Sequence, residues 1–189
     1  VDQNWIGSAG CTIHEASFVP PSPLQLNDHL LAWEHYIDGD DSDFLLQTAV
    51  VHAQFELLHP FKDGNGRIGR LLIPLFLYQK KALSQPMFYL SEYLEANRDE
   101  YYQRLGNISQ EGDWNGWIAF FLKAITVQAR QNSVRVKAIM ALYDTMKLRI
   151  HEITHSQYSV YLLDALFSRP IFKTTDSSLR EYLTPFRQI

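Results

Sequence analysis

A proline placed directly after a long helical stripe, and followed closely by Gly64, Gly66, Arg67 and Arg70, leaves residues 44–78 few ways to fold. Phe44, Thr48, Val51, Phe55 and Leu58 recur at the spacing of one buried helix face. Leu45, Ala49, His52, Glu56 and His59 form the neighbouring stripe. Pro60 disfavours helical geometry at His59, so the helix must stop there. The apolar run Ile68–Tyr78 predicts a second helix, kinked at Pro74, which removes the bond to the Arg70 carbonyl.

The rest of the chain agrees with a mostly α protein. Residues 1–23 are rich in turn formers and end in Val19-Pro20-Pro21-Ser22-Pro23, which reads as a loop or hairpin. Asn27 is placed to cap a helix from about Asp28 to Ile37, and the acidic run Asp38–Asp43 breaks it and supplies the next cap. Helical patterns follow over about Ser91–Leu105, Asp113–Gln131 and Val134–Ile153, and strand alternation is scarce. With 189 residues, 46% hydrophobic and 20% charged, the chain suits one soluble domain with a small appendage. No apolar run approaches a membrane span, and there is no signal-like leader. The lone Cys11 cannot form an internal disulfide, so the expected compartment is the cytoplasm. A net charge of −4 without a long basic stretch argues against nucleic acid as a partner. The chain opens with Val1 rather than Met, so we expect a fragment of a longer product.

Residues 59–70 carry the chemistry. Gly64 and Gly66 permit backbone angles that turn successive N–H groups inward as an anion nest. The helix that follows directs its positive end at the same place. Arg67 and Arg70 share the face of its first turn and suit two phosphate groups. Asp63 offers a hard oxygen ligand for Mg²⁺, and Asn65 a donor to a phosphate oxygen. His59 alone titrates near neutrality and suits a general base. Phe61 is expected to anchor the loop in the core. Together these groups describe a nucleotide polyphosphate site with a base beside it.

This segment resembles, at every specified position, the signature of Fic (filamentation induced by cAMP) domains, His-x-Phe-x-(Asp/Glu)-Gly-Asn-Gly-Arg-x-x-Arg. Gln3-Asn4-Trp5-Ile6-Gly7, Phe18-Val19-Pro20-Pro21, Tyr89-Leu90-Ser91, Asn97–Tyr102 and Ser109–Trp114 resemble flanking blocks of a bacterial branch. The resemblance implies a Fic-type helical bundle with a small β-hairpin flap within about Gly7–Pro20, which aligns a target's main chain. The core with flap would span 1–155. Residues 156–189 would be a C-terminal extension, either the start of a winged-helix module or a helix packing back on the core. The implied activity is protein adenylyl transfer. His59 would deprotonate a Ser, Thr or Tyr hydroxyl of a target protein, which attacks the α-phosphate of ATP. The loop 62–70 (Lys62, Asp63, Gly64, Asn65, Gly66, Arg67 and Arg70) would hold Mg-ATP, with Asp63 on the metal. Tyr101, Tyr102 and Gln110 fall in blocks resembling the adenine-contacting region. The expected partners are the target, which self-modification would make this chain, and a second copy of it. The family's inhibitory pattern, (Ser/Thr)-x-x-x-Glu-(Gly/Asn), is not found, since Asn107 precedes Glu111-Gly112.

Competing readings are weaker. Transfer of another phosphate-containing group, or removal of AMP, would use the same site. A nucleotide-sensing DNA-binding regulator leaves a full set of catalytic residues unexplained. Gly64-Asn65-Gly66-Arg67-Ile68-Gly69 fits a dinucleotide pattern but follows a helix instead of a strand. His151-Glu152-Ile153-Thr154-His155 fits a zinc-protease pattern but lacks a third ligand. Tyr101 or Tyr102 is expected to be plain core; His52 and Glu56 share the His59 face, where they could tune its pKa, but are read first as packing or solvent-facing groups; and His14, His29 and His35 receive no role.

Overall fold

Two side chains set where the first helices begin. Pro23 supplies the fixed backbone angle of a first helical position behind Ser22, so α1 runs Pro23–Asp38 and starts before the expected Asn27 cap. Asp43 Oδ1 accepts the N–H groups of Leu45 (2.8 Å) and Leu46 (3.2 Å), and α2 runs Phe44–Leu58. The computed structural model describes residues 3–8, 10–39, 43–155, 159–169 and 171. The further helices are α3 Asn65–Gln79, α4 Ser91–Ala96, α5 Arg98–Glu111, α6 Trp114–Thr154 and α7 Ser159–Ser168. The chain divides into two compact units, 1–130 and 131–189.

In the first unit α2 is the central element. Ala49 and Ala53 are fully buried. Backbone carbonyls of α2 accept the indole N–H groups of Trp33 (to Val51, 3.0 Å) and Trp117 (to Ala49, 2.9 Å). Gln47 ties the α1–α2 corner by donating to the Tyr36 and Gly39 carbonyls at 2.8 and 2.9 Å. His52 is buried among the rings of Tyr101, Trp117 and Phe121. Its Nδ1 lies 3.0 Å from the Gly69 carbonyl and its Nε2 3.1 Å from the Tyr101 hydroxyl. Burial lowers its pKa to about 4, so the ring is neutral. A carbonyl can only accept, so we assign the proton to Nδ1, with Nε2 accepting from Tyr101. His52 is therefore a core residue joining α2, α3 and α5.

Several expectations change. The pattern over Ser91–Leu105 contains a break at Asn97 (φ −122°, ψ 37°), which ends α4 and starts α5. The two helices expected over 113–153 are one, α6, because nothing between Gln131 and Val134 interrupts the backbone bonds. The β-hairpin flap is not found: among the described residues there is no strand, only an antiparallel bridge between Ile6 and Phe18. Ile6 N–H donates to Phe18 O at 2.8 Å and Phe18 N–H to Ile6 O at 3.2 Å. Between them, the Thr12 N–H and hydroxyl both donate to Glu15 Oε2 at 2.9 Å, which folds Ile13–Glu15 into a 3-10 turn and ends any extended pairing.

In the second unit, Tyr143 donates its hydroxyl to Asp164 Oδ1 at 2.5 Å and meets the Phe167 ring edge-on at 5.1 Å. Most of the stretch read as the start of a winged helix, including Thr174-Thr175-Asp176, lies outside the described residues.

Candidate active site

Pro60 ends α2 as expected, but by an unexpected conformation. His59 takes left-handed angles (φ 45°, ψ 55°), a strained state for a residue with a Cβ, costing about 1–2 kcal/mol. Two hydrogen bonds hold it: its N–H donates to Phe55 O at 3.1 Å, and Asn4 Nδ2 donates to its carbonyl at 3.4 Å. The half-buried imidazole is thereby placed against a cavity of about 520 Å³. Burial lowers its pKa, and the nearby Glu56 carbonyl offsets this in part. Its Nδ1 is buried without a hydrogen bond of good geometry. The ring is thus neutral around pH 7 and able to accept a proton.

The turn after His59 is closed by Asn65. Its Oδ1 accepts the Phe61 N–H at 2.9 Å, and its Nδ2 donates to the Phe61 carbonyl at 2.6 Å. Asn4 Nδ2 adds a second donor to that carbonyl at 2.8 Å. Asn65, 2% exposed, is therefore engaged with the loop itself rather than turned toward a phosphate. Phe61 is 48% exposed, so its backbone, and not its ring, anchors the loop. Gly64 adopts φ 88°, ψ 0° and caps α3. The N–H groups of Asn65, Gly66 and Arg67 then stand at the helix start without an acceptor among the described residues.

The two arginines fold back over the two glycines. A Cβ on Gly64 would lie 3.5 Å from the Arg67 guanidinium, and one on Gly66 would lie 3.2 Å from that of Arg70. Arg67 is exposed and pairs with Asp63 Oδ2 at 3.0 Å, while Asp63 Oδ1 accepts the Gly64 N–H at 2.7 Å. Arg70 is half-buried, has no hydrogen bond or ion pair among the described residues, and lines a second cavity of about 230 Å³ with Arg98, Tyr101 and Tyr102.

The larger cavity gathers His59 and Gly66 with Glu56, the Ile6–Ser8 and Ser17–Phe18 segments, and one face of α5. That face runs from Arg98 through Tyr102 and Ser109 to Gln110, about 18 Å along the helix axis. Of the expected adenine-region residues, Tyr102 and Gln110 line this cavity. Tyr101 is a buried core residue held by His52, although it also reaches the smaller cavity. Lys62 lies away from both, exposed beside a small hollow under Pro20, Pro21 and Phe61.

Three positions escaped the sequence reading. Asn4 has no periodicity to mark it. Arg98 sits in a charged run. Glu56 shares the His59 face in sequence, but nothing there shows that it is both buried (9% exposed) and part of the cavity lining one turn before His59. Burial raises its pKa to about 7, with the Arg70 charge opposing the rise.

The Fic/DOC family matches this sequence over residues 6–77. Residues 6–77 are thus similar to a Fic/DOC domain. The matched Fic residues include the bridge segment, α1, α2, the loop and nearly all of α3; Tyr102 and Gln110 lie beyond them. A protein of Aquifex aeolicus (strain VF5), named "Probable protein adenylyltransferase", is 30% identical over 88 residues, 46% of this chain and 28% of that protein. "Protein adenylyltransferase Fic" of Drosophila mojavensis is 29% identical over 111 residues, 57% of this chain and 21% of that protein. The chain thus spans less than a third of the length of either relative. The crystal structure of a Fic family protein from Desulfovibrio desulfuricans G20 aligns with a TM-score of 0.61 and 22% identity over 70% of this chain and 39% of the other, a likeness of fold. Among the described residues no helix is long and apolar enough to cross a membrane.

Proposed function

We propose that this protein transfers AMP from ATP to a hydroxyl of a protein target. The observation that carries the reading is that a neutral, half-buried His59 and Gly66, at the α3 start whose first N–H groups lack an acceptor among the described residues, line one cavity long enough for a nucleotide. The triphosphate lies on the Gly64–Arg67 turn, where backbone N–H groups, Arg67 and Arg70 oppose its charge. The nucleoside lies along α5 against Tyr102, toward Gln110. His59 takes the proton of a Ser, Thr or Tyr hydroxyl as that oxygen bonds to the α-phosphorus. The bond from the α-phosphorus to the bridging oxygen breaks, and pyrophosphate leaves. Fixed charges and donors supply most of the acceleration, as in phosphoryl transfer generally.

Asp63 fits the part of a Mg²⁺ ligand. It is an exposed carboxylate next to the anion turn, and Mg²⁺ needs only one or two carboxylates when phosphates and water complete its shell. Its bond to Arg67 must then loosen, which releases Arg67 toward the phosphates. Bound Mg²⁺ would neutralise phosphate charge. Ile6–Ser8 and Ser17–Phe18 line the cavity together with His59, and we assign these two short segments the task of contacting the target. The lone Cys11 supports a reducing, cytoplasmic setting. Residues 156–189 are taken as a separate C-terminal extension, and a second copy of the chain as a further partner.

Intact-mass measurement of the chain and a candidate target after incubation with Mg-ATP tests the reading. An AMP adduct with stoichiometric pyrophosphate release is expected. An adduct of phosphate mass, or ATP hydrolysis to ADP alone, would overturn it.

A further inference from the structure

Among the described residues that line the main cavity, Glu56 is the one acidic side chain. It stands on the same face of α2 as His52 and His59. Its Oε1 is buried without a hydrogen-bond partner and rests against the Cα of Gly69, where a Cβ would overlap it. The next residue, Arg70, also lacks a hydrogen bond or ion pair among the described residues, and its charge acts on Glu56 through space. A buried carboxyl against Gly69 and a half-buried guanidinium over Gly66, neither hydrogen-bonded among the described residues, therefore both lie on the first turns of α3. A buried charge is tolerated only when an opposite charge is near, so each group governs the other's cost.

We infer that Glu56 is a positioning residue whose ionised form balances Arg70 in the free site and which takes up a proton when a polyphosphate claims that arginine. The inference rests on the nucleotide reading above. Phosphate oxygens at Arg70 cancel the positive field that keeps Glu56 partly ionised. The carboxylate then binds one proton from solvent, and no other bond changes. The remaining groups around Glu56 do not supply this response. His52 on its own helix is neutral and held between Gly69 and Tyr101; His59 is neutral near pH 7; Tyr101 on α5 has its pKa raised well above the ordinary tyrosine value. Arg98 and Tyr102, also on α5, line the cavity, with Arg98 paired to Glu95 at 3.6 Å. With a Glu56 pKa of about 7, the free site at pH 7 holds about half a proton there, which leaves about half a proton to be taken up.

Titration calorimetry with Mg-ATP near pH 7, in buffers of different ionisation enthalpy, counts that proton. The wild type should take up about half a proton more than Glu56→Gln, which has the same shape but cannot titrate. The wild-type affinity should also tighten several-fold from about pH 8 to about pH 6 relative to the variant, because proton uptake favours binding at lower pH. Comparing the two proteins cancels protonation of ATP itself. Equal proton counts with tight binding in both would overturn the inference and leave the nucleotide reading standing. Absence of binding in the wild type would sink both. If Glu56→Gln does not fold, the carbon-13 carboxyl titration of Glu56 in the wild type decides instead: its midpoint must move upward on adding Mg-ATP, and an unmoved midpoint contradicts the proposal.

Discussion

Asn65 brackets the backbone of Phe61, accepting its N–H at 2.9 Å and donating to its carbonyl at 2.6 Å. An amide side chain placed this way acts like a neighbouring strand, and it fixes the turn that presents the first N–H groups of α3. Asn65→Ala removes both bonds and leaves the part-buried Phe61 N–H without its acceptor, while Asn4 still serves the Phe61 carbonyl, so we expect a loss of about 1–2 kcal/mol in a denaturant titration. Asn65→Asp keeps the acceptor and loses the donor. It should lose adenylyl transfer at least as completely, because a carboxylate would oppose both the Phe61 carbonyl and an incoming phosphate.

Gly69 has no room for a side chain. A Cβ there would overlap Glu56 Oε1 and press on the Phe55 ring. Alanine is otherwise the better helix former by about 1 kcal/mol. The overlap outweighs that gain, and Gly69→Ala should destabilise the first unit by about 1–3 kcal/mol, read as a lowered unfolding midpoint. A stabilised variant would show that Glu56 does not lie against α3.

Glu56 should leave a signature in stability against pH. Its folded pKa, about 7, lies above the ordinary value of 4.5, so the folded state holds a proton that the unfolded state has released. Stability contributed at this site therefore falls as pH rises from 4.5 to about 7 and is constant above that. Relative to the wild type, Glu56→Gln should gain stability across that window, reaching about 3 kcal/mol at pH 8. Denaturant titrations of both proteins at several pH values give the difference directly. His52 runs the other way. Its depressed pKa, about 4, means that stability is lost as pH falls from 6.5 toward 4, so the variant exposes an acid weakness that Glu56 offsets in the wild type.

Much of this site was legible because its groups are crowded into one stretch of sequence. Pro60 forces an end to α2, Gly64 takes the left-handed angles of the turn while Gly66, expected to share them, is helical, and the arginines follow at a helical interval; each constraint is local. The signals that failed are tertiary. Whether a stripe residue such as Glu56 faces core, cavity or solvent depends on which helix packs over it, and α5 is far away in sequence. The same holds for Tyr101 and Tyr102: adjacent residues point apart on a helix, and only the position of His52 decides which one is core. The flap expectation failed for a local reason that was readable in principle, since Thr12 and Glu15 stand at capping-box spacing. The break at Asn97 carried no glycine or proline to announce it.

His59 should set the acid limb of the reaction. Burial lowers its pKa, so the limb of kcat/KM should lie below 6.5, the ordinary histidine value, and should vanish with the activity in His59→Ala. Rates measured across pH with the target held constant locate the limb.

The central claim is that this chain moves the α-phosphoryl group of ATP through His59. Incubation with Mg²⁺ and ATP labelled separately at the α- and γ-phosphates, beside a His59→Ala control and in the presence of a target lysate, tests it most directly. We predict covalent label on protein from the α-position alone, absent from the control. Label from the γ-position, or α-label that persists without His59, would contradict it.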